Sequence, residues 1–166
     1  SGDCPARAFI PAHRGPVIDP VEAGWFANQL LGLHEASLIP ATDGDRQIVR
    51  VTVLRSFYAP VTVRTVEMGD GRLRLVAKLA SGRDGCPDPA VLTETERAGL
   101  RPIQTRLMQN ASYGCAGGPD GTRWIVEASG RGDYRFWNEW TPEDGDLHAF
   151  SMAMLELTGW RFRELY

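Results

Sequence analysis

Nothing in the sequence provides for a membrane-spanning helix, because no apolar stretch approaches the ~20 residues that crossing a bilayer requires. Cysteine and histidine are sparse. Cys4, Cys86 and Cys115 form no CxxC pair, and His13, His34 and His148 lie far apart, so no metal-ligand spacing exists and neither metal nor cofactor is implied. A basic excess is missing too. The net charge is −3, and the 18 Lys+Arg residues, nearly all arginine, are dispersed without a basic run, which argues against nucleic acid or an anionic membrane as partner. The sequence lacks a nucleophile elbow, a phosphate-cradling Gly-Lys motif and a locally supported Ser/His/Asp order. SGRDG and GCAGG are Gly-rich but do not follow the dinucleotide pattern, so both read as loops. Internal repeats and low-complexity segments are absent as well.

What remains describes a globular chain of 166 residues, 43% hydrophobic and 23% charged, suited to one domain. Residues 1–18 carry three prolines without periodicity and read as an extended N-terminal arm; residues 19–166 read as a single α+β domain. The opening SGDCPARAF has no initiator methionine and reads like a trimmed chain, with Asp3 a poor fit to the small residue expected before a lipid-anchored cysteine. Residues 19–38 predict a helix, with Asp19 as N-cap, Pro20 at the first position, Glu22 at a capping-box-like spacing and an apolar stripe of Trp25, Phe26, Leu30, Leu31 and Leu33.

Three strands follow. In RQIVRVTVLRSF, Val49, Val51, Val53, Arg55 and Phe57 alternate with Arg50, Thr52 and Leu54. APVTVRTV and RLRLVAKLA repeat the alternation around the hairpin signal Asp70-Gly71, which predicts a meander wet on one face and buried on the other. Residues 81–92 form a loop. A second helix then starts at Thr93 with Glu96 completing a capping box and Leu100, Ile103, Leu107 and Met108 as its stripe; Pro102 is expected to kink or split it. ASYGCAGGPDG is another irregular loop, and a last helix runs from Leu147 to Leu157 with Phe150, Met154 and Leu157 inward and Gly159 as its stop. The fold class is α+β: an antiparallel sheet of about five strands, in the order α-βββ-α-ββ-α, packed with three helices.

Residues 120–142, DGTRWIVEASGRGDYRFWNEWTP, hold three of the five tryptophans. Two runs, 123–127 and 134–140, flank ASGRGD, and a turn at Gly130-Arg131 pairs Trp124 with Trp137, Ile125 with Phe136 and Glu127 with Tyr134. The tripeptide Arg131-Gly132-Asp133 therefore reads as a hairpin tip before an adhesion signal, and the sequon at Asn110 is too short a pattern to add to this.

Acid/base chemistry needs two carboxylates at one site, and Glu35, Glu127 and Glu139 are the candidates. Glu127 shares a face with Ile125 and Phe136, so it needs a partner, which Arg50, Arg55 or Arg64 can supply. A structural ion pair explains this more simply than catalysis does. Cys86 and Cys115 sit in Gly/Pro-rich loops where a disulfide is easy; Cys4 paired to one of them is the rival, and reduced buried cysteines are a third reading.

WFANQLLGLHEASL, RVTVLRSFYAPVTVR, GRLRLVAKLASGRDG and DGTRWIVEASGRGDYRFWNEWTPEDG together resemble an uncharacterised family of bacterial, commonly exported proteins with a DGxxWxxE…Y…WxP hairpin motif, over roughly residues 24–159. The resemblance carries no known activity. It implies export and disulfide formation and points to Trp25, Glu35, Arg55, Phe57, Arg64, Lys78, Asp120, Trp124, Glu127, Tyr134 and Trp140 as positions of interest. The expectation is an exported, periplasmic or secreted, non-enzymatic binding protein for a protein or small-molecule ligand, of inhibitor or immunity-protein type. The binding candidates are Glu35, Arg55, Arg64, Trp124, Glu127 and Tyr134, and the candidate disulfide is Cys86–Cys115. The alternative is a small hydrolase-like enzyme using Glu127 beside Arg55 or Arg64.

Overall fold

A computed structural model of the protein describes residues 20–38, 46–79, 88–115, 117, 120–162 and 165; the N-terminal arm, Asp19, Cys4 and Cys86 lie outside them. Three helices, α1 (Pro20–Gly32), α2 (Glu94–Met108) and α3 (Gly145–Leu157), accompany seven strands: β1 (Ile48–Arg55), β2 (Val61–Glu67), β3 (Leu73–Leu79), β4 (Ala90–Val91), β5 (Tyr113–Gly114), β6 (Thr122–Gly130) and β7 (Asp133–Trp140). They form one sheet in the order β4-β3-β2-β1-β6-β7-β5, antiparallel except for β5 against β7. The α+β class and the five main strands are as the alternation dictates. The two further strands are two-residue edge pairings inside segments read as loops, too short to show any period.

The expectation of a wet second face fails at β1, which is buried on both faces, and holds in part at β3, where Arg74 is exposed and Val76 and Lys78 are half-buried. Val49, Val51 and Val53 of β1, Val61 and Val63 of β2, and Trp124, Val126 and Ala128 of β6 pack under α2 and α3 in the main core. On the opposite face Phe26 and Leu30 of α1 cover Leu54, Ile125 and Phe136 in a smaller one. With helices on both sides, β6 is buried along nearly its whole length. Strands covered on both faces must put some polar side chains somewhere dry, and here Arg50 and Thr52 of β1, Thr62 and Arg64 of β2, and Arg123, Glu127 and Ser129 of β6 face α1.

The predicted first helix stops six residues early, and its ending is specific. His34 adopts a left-handed backbone, φ 54°, while Glu35 N–H donates to Leu30 O and His34 N–H to Leu31 O, the paired bonds of a Schellman stop. The stop turns the chain so that Glu35 enters the sheet face. Leu31, assigned to the apolar stripe, is 70% exposed. In α2 the capping box of Thr93 and Glu96 forms as expected, but Pro102 does not split the helix. Both Pro102 and Ala98, whose carbonyl loses its donor, lie on the exposed side, where water can satisfy that oxygen. α3 buries Phe150 and Met154 and half-buries Leu157, and Gly159 has φ 72° as a helix stop requires.

The hairpin register differs by two residues from expectation. Glu127 lies opposite Phe136, Val126 opposite Trp137 and Trp124 opposite Glu139. The turn is at Arg131-Gly132, with φ 54° and 73°, because a two-residue turn of this hand needs positive φ at both positions and Gly132 supplies the second. Gly130 is kept for another reason: a Cβ there would sit 2.7 Å from Arg46 O. A slip of two leaves every side chain on its expected face.

Candidate functional site

One row across the α1 face of the sheet carries charge. Arg64 of β2, Arg50 of β1 and Glu127 of β6 are successive cross-strand partners. Arg50 and Arg64 side by side would repel, since like charges directly opposite destabilise a sheet. Glu35, delivered by the stop of α1, resolves this. Its Oε1 accepts from Arg64 Nε at 2.9 Å and lies 3.8 Å from Arg50 Nη1, and its Oε2 accepts from Lys78 Nζ at 2.6 Å. Lys78 also donates to His34 O at 2.9 Å and Arg50 to Ala36 O at 2.7 Å, so the sheet grips the backbone of the helix stop as well as its carboxylate.

Glu127 is 2% exposed. Its Oε2 accepts from Arg50 Nε at 2.8 Å, and Nη2 of the same guanidinium lies 2.8 Å away, off the line of a hydrogen bond. Its Oε1 accepts from the Tyr134 hydroxyl at 2.7 Å. Burial pushes the Glu127 carboxyl above the ordinary carboxylate range, against the opposing pull of Arg50 and Tyr134. Burial likewise pushes the Tyr134 hydroxyl up, reinforced by the adjacent carboxylate.

Glu35, Arg64, Glu127 and Tyr134 are thus brought to one network, as the expected ion pair for Glu127 required, with Arg50 as the partner. Arg55 is not beside Glu127. It stands at the far end of β1 on the opposite face, donating to Ala59 O at 2.9 Å, its guanidinium 5.3 Å from the Tyr58 ring centre and 5.7 Å from that of Phe162. Arg64 shares the row but is spent on Glu35. Trp124 is not a ligand platform either: it is fully buried, its Nε1–H donates to Thr122 Oγ1 at 2.8 Å, and it stacks on His148 with centroids 5.3 Å apart. Glu139 is buried on the other face and accepts from the Tyr113 hydroxyl at 2.9 Å. Phe57, expected to continue the β1 alternation, lies past the strand end and is 76% exposed.

A second buried cation lies farther along the α1 face. Arg123, fully buried, donates to Cys115 O at 2.5 Å and to Asn138 Oδ1 and sits 5.3 Å from the centre of the Trp140 ring. No cysteine pair falls within the described residues, since Cys4 and Cys86 lie outside them, but Cys115 is itself disulfide-bonded. Among the described residues no cluster of three or more His, Cys, Asp or Glu side chains could hold a metal, and no helix is long and apolar enough to cross a membrane.

Arg123 was the residue least visible in the sequence; Arg50 was among the possible partners of Glu127 and Lys78 among the positions of interest, but neither was placed in a buried network. Their alternation placed Arg50 and Lys78 on a face read as solvated. The available signal was β6, whose run from Arg123 to Ser129 alternates polar residues that only a covered face would make expensive. Comparison with protein-family models, curated proteins and solved structures returned no match.

Proposed function

We propose that the chain is a non-enzymatic binding protein of a periplasmic or secreted compartment, of inhibitor or immunity-protein type, whose partner is a protein surface that docks on the loop after β1. The observation that carries this is the exposure of Phe57 and Tyr58, 76% and 48%, in a chain that buries Trp124 and Trp137 completely. Large aromatics beside an arginine are the side chains that dominate protein-binding hot spots. The loop is also held in shape: Arg55 is fixed to Ala59 O and lies against Tyr58 and Phe162, so docking orders little that is not already ordered. The disulfide at Cys115 and the resemblance to exported bacterial proteins support the compartment, because disulfides persist where the environment oxidises. Cys86 is the partner of Cys115 in this reading, with Cys4 as the alternative.

A hydrolase would need Glu127 to face substrate. Both of its oxygens are instead engaged inside the fold, and the clefts along α2 are lined by none of the residues of its network. Those observations support a structural role for the buried row. The test is affinity capture from an extracytoplasmic fraction with wild type and with Phe57→Ser/Tyr58→Ser. A partner retained saturably by wild type and lost from the double variant, at equal melting temperature, supports the proposal. Equal capture by both, or no saturable partner, overturns it. Thiol titration of the denatured, unreduced protein tests the compartment: one free thiol is expected, and three would remove that argument.

A further inference from the structure

At the end of the sheet away from Phe57 and Tyr58, a cleft of about 390 Å³ opens between α2 and the strand ends. Three guanidinium groups line it, Arg97 and Arg101 from α2 and Arg131 from the β6–β7 turn, together with the amides of Gln47 and Gln104 and a single carboxylate, Glu67. Leu73 and the buried Leu100 form apolar wall between them. The volume is that of a small-ligand pocket. A local excess of positive charge in a chain of net charge −3 singles this end out.

We propose that this cleft is a binding site for a small oxyanion carrying two or more negative charges, held by Arg97, Arg101 and Arg131. The three side chains are unequally committed within the protein. Arg97 donates through Nη1 to Gly71 O at 2.8 Å, which orients it, and its Nε stands 4.0 Å from Glu94. Arg131 reaches Glu67 only at 3.8 Å and is 71% exposed. Arg101 has no hydrogen-bond or ion-pair partner among the described residues. Arg97 and Arg101 stand one helical turn apart, a like-charged spacing that opposes the helix unless something neutralises it. Arg131 adds an independent sign. It occupies a left-handed position, φ 54°, where this kind of turn favours asparagine, aspartate or glycine, so a long cation is kept at a backbone cost. Guanidinium groups match the paired oxygens of phosphate and carboxylate, which an ammonium group does not.

The site stands at the opposite end of β1 from the aromatic loop and goes beyond the reading given above. Its test uses the intact protein with inorganic phosphate and with citrate, each titrated at constant ionic strength against a sodium chloride control and followed by calorimetry and by the NMR signals of the arginine Nε–H groups. Saturable binding of at least one probe is expected, with shifts at Arg97, Arg101 and Arg131. Arg101→Ala/Arg131→Asn should weaken binding by about tenfold or more, the loss expected for charge-assisted hydrogen bonds. Neither change threatens the fold, since Arg101 is exposed and asparagine suits the turn, and equal melting temperatures confirm it. Phosphate without citrate identifies a phosphoryl ligand, and citrate without phosphate a polycarboxylate. No saturable response to either probe, or undiminished affinity in the double variant, overturns the proposal.

Discussion

Replacing Glu35 with glutamine keeps the side-chain volume and removes one charge, so it opens no cavity and isolates the electrostatic contribution. The carboxylate is 3% exposed and contacts Lys78 at 2.6 Å, Arg64 at 2.9 Å and Arg50 at 3.8 Å. Breaking a buried ion pair from one side costs ~3–5 kcal/mol. Two features place this case at the lower limit. Arg50 keeps Glu127 as a counter-ion, and the side chains of Arg64 and Lys78 are 25% and 28% exposed, so water takes up part of the loss. The expected destabilisation is therefore about 3 kcal/mol, equivalent to a fall in melting temperature of ~6–12 °C for a chain of this size. Urea unfolding and thermal melts of Glu35→Gln measure it, and raising the salt concentration should change the difference little because the site is dry. Lys78→Met should cost less in the Glu35→Gln background than in wild type, since its counter-charge is already gone. A loss below about 1 kcal/mol, the range of exposed salt bridges, would refute the reasoning.

Trp124→Ala should lower stability by about 4 kcal/mol through the cavity left in the main core, read by urea midpoint; a loss under about 2 kcal/mol would mean that the core closes around the gap. His34→Gly should raise stability by up to about 1 kcal/mol, because glycine is the preferred residue at a left-handed helix stop, and an unchanged or lower melting temperature would contradict that. Burial raises the Glu127 carboxyl, so above the ordinary carboxylate range the folded chain holds a proton that the unfolded chain has released. Stability therefore falls as pH rises above the ordinary carboxylate range, and wild type should lose ground to Glu127→Gln there; parallel melting curves would exclude the shift.

The sheet was legible because its strands repeat every second residue, and the faces of Val49, Val51 and Val53 and of Leu73, Leu75 and Ala77 follow directly from that period. What a period cannot show is what lies over a face. Arg50, Thr52 and Leu54 look solvated until α1 is laid over them, and the placement of α1 depends on a helix stop at His34 that no sequence preference for histidine announces. Glu127 was identifiable as a carboxylate in need of an arginine. Choosing among Arg50, Arg55 and Arg64 required the register of β1 against β6, which is set by residues distant in the chain. The cleft at Arg97, Arg101 and Arg131 was hidden for the same reason: two of its arginines look like a routine helix surface and the third like a turn.

The seam between β1 and β6 joins two pieces that can each form locally, the β1–β2–β3 meander and the β6–β7 hairpin, and residues 50 and 127 meet across it over 77 positions of chain. Closing so long a loop is slow, and the first pairing made need not be the right one. The charges make errors costly. Shifting β6 by one residue turns Trp124, Val126 and Ala128 toward α1 and sends Glu127 to the other face; shifting it by two leaves Arg50 opposite Ile125 or Ser129. Either mistake strands a cation and a carboxylate in a dry layer, which costs several kcal/mol by the same rule that governs any broken buried pair. Arg50 and Glu127 thus act as a key for strand pairing: once α1 covers the seam, one alignment of the two halves leaves these charges paired and its neighbours do not.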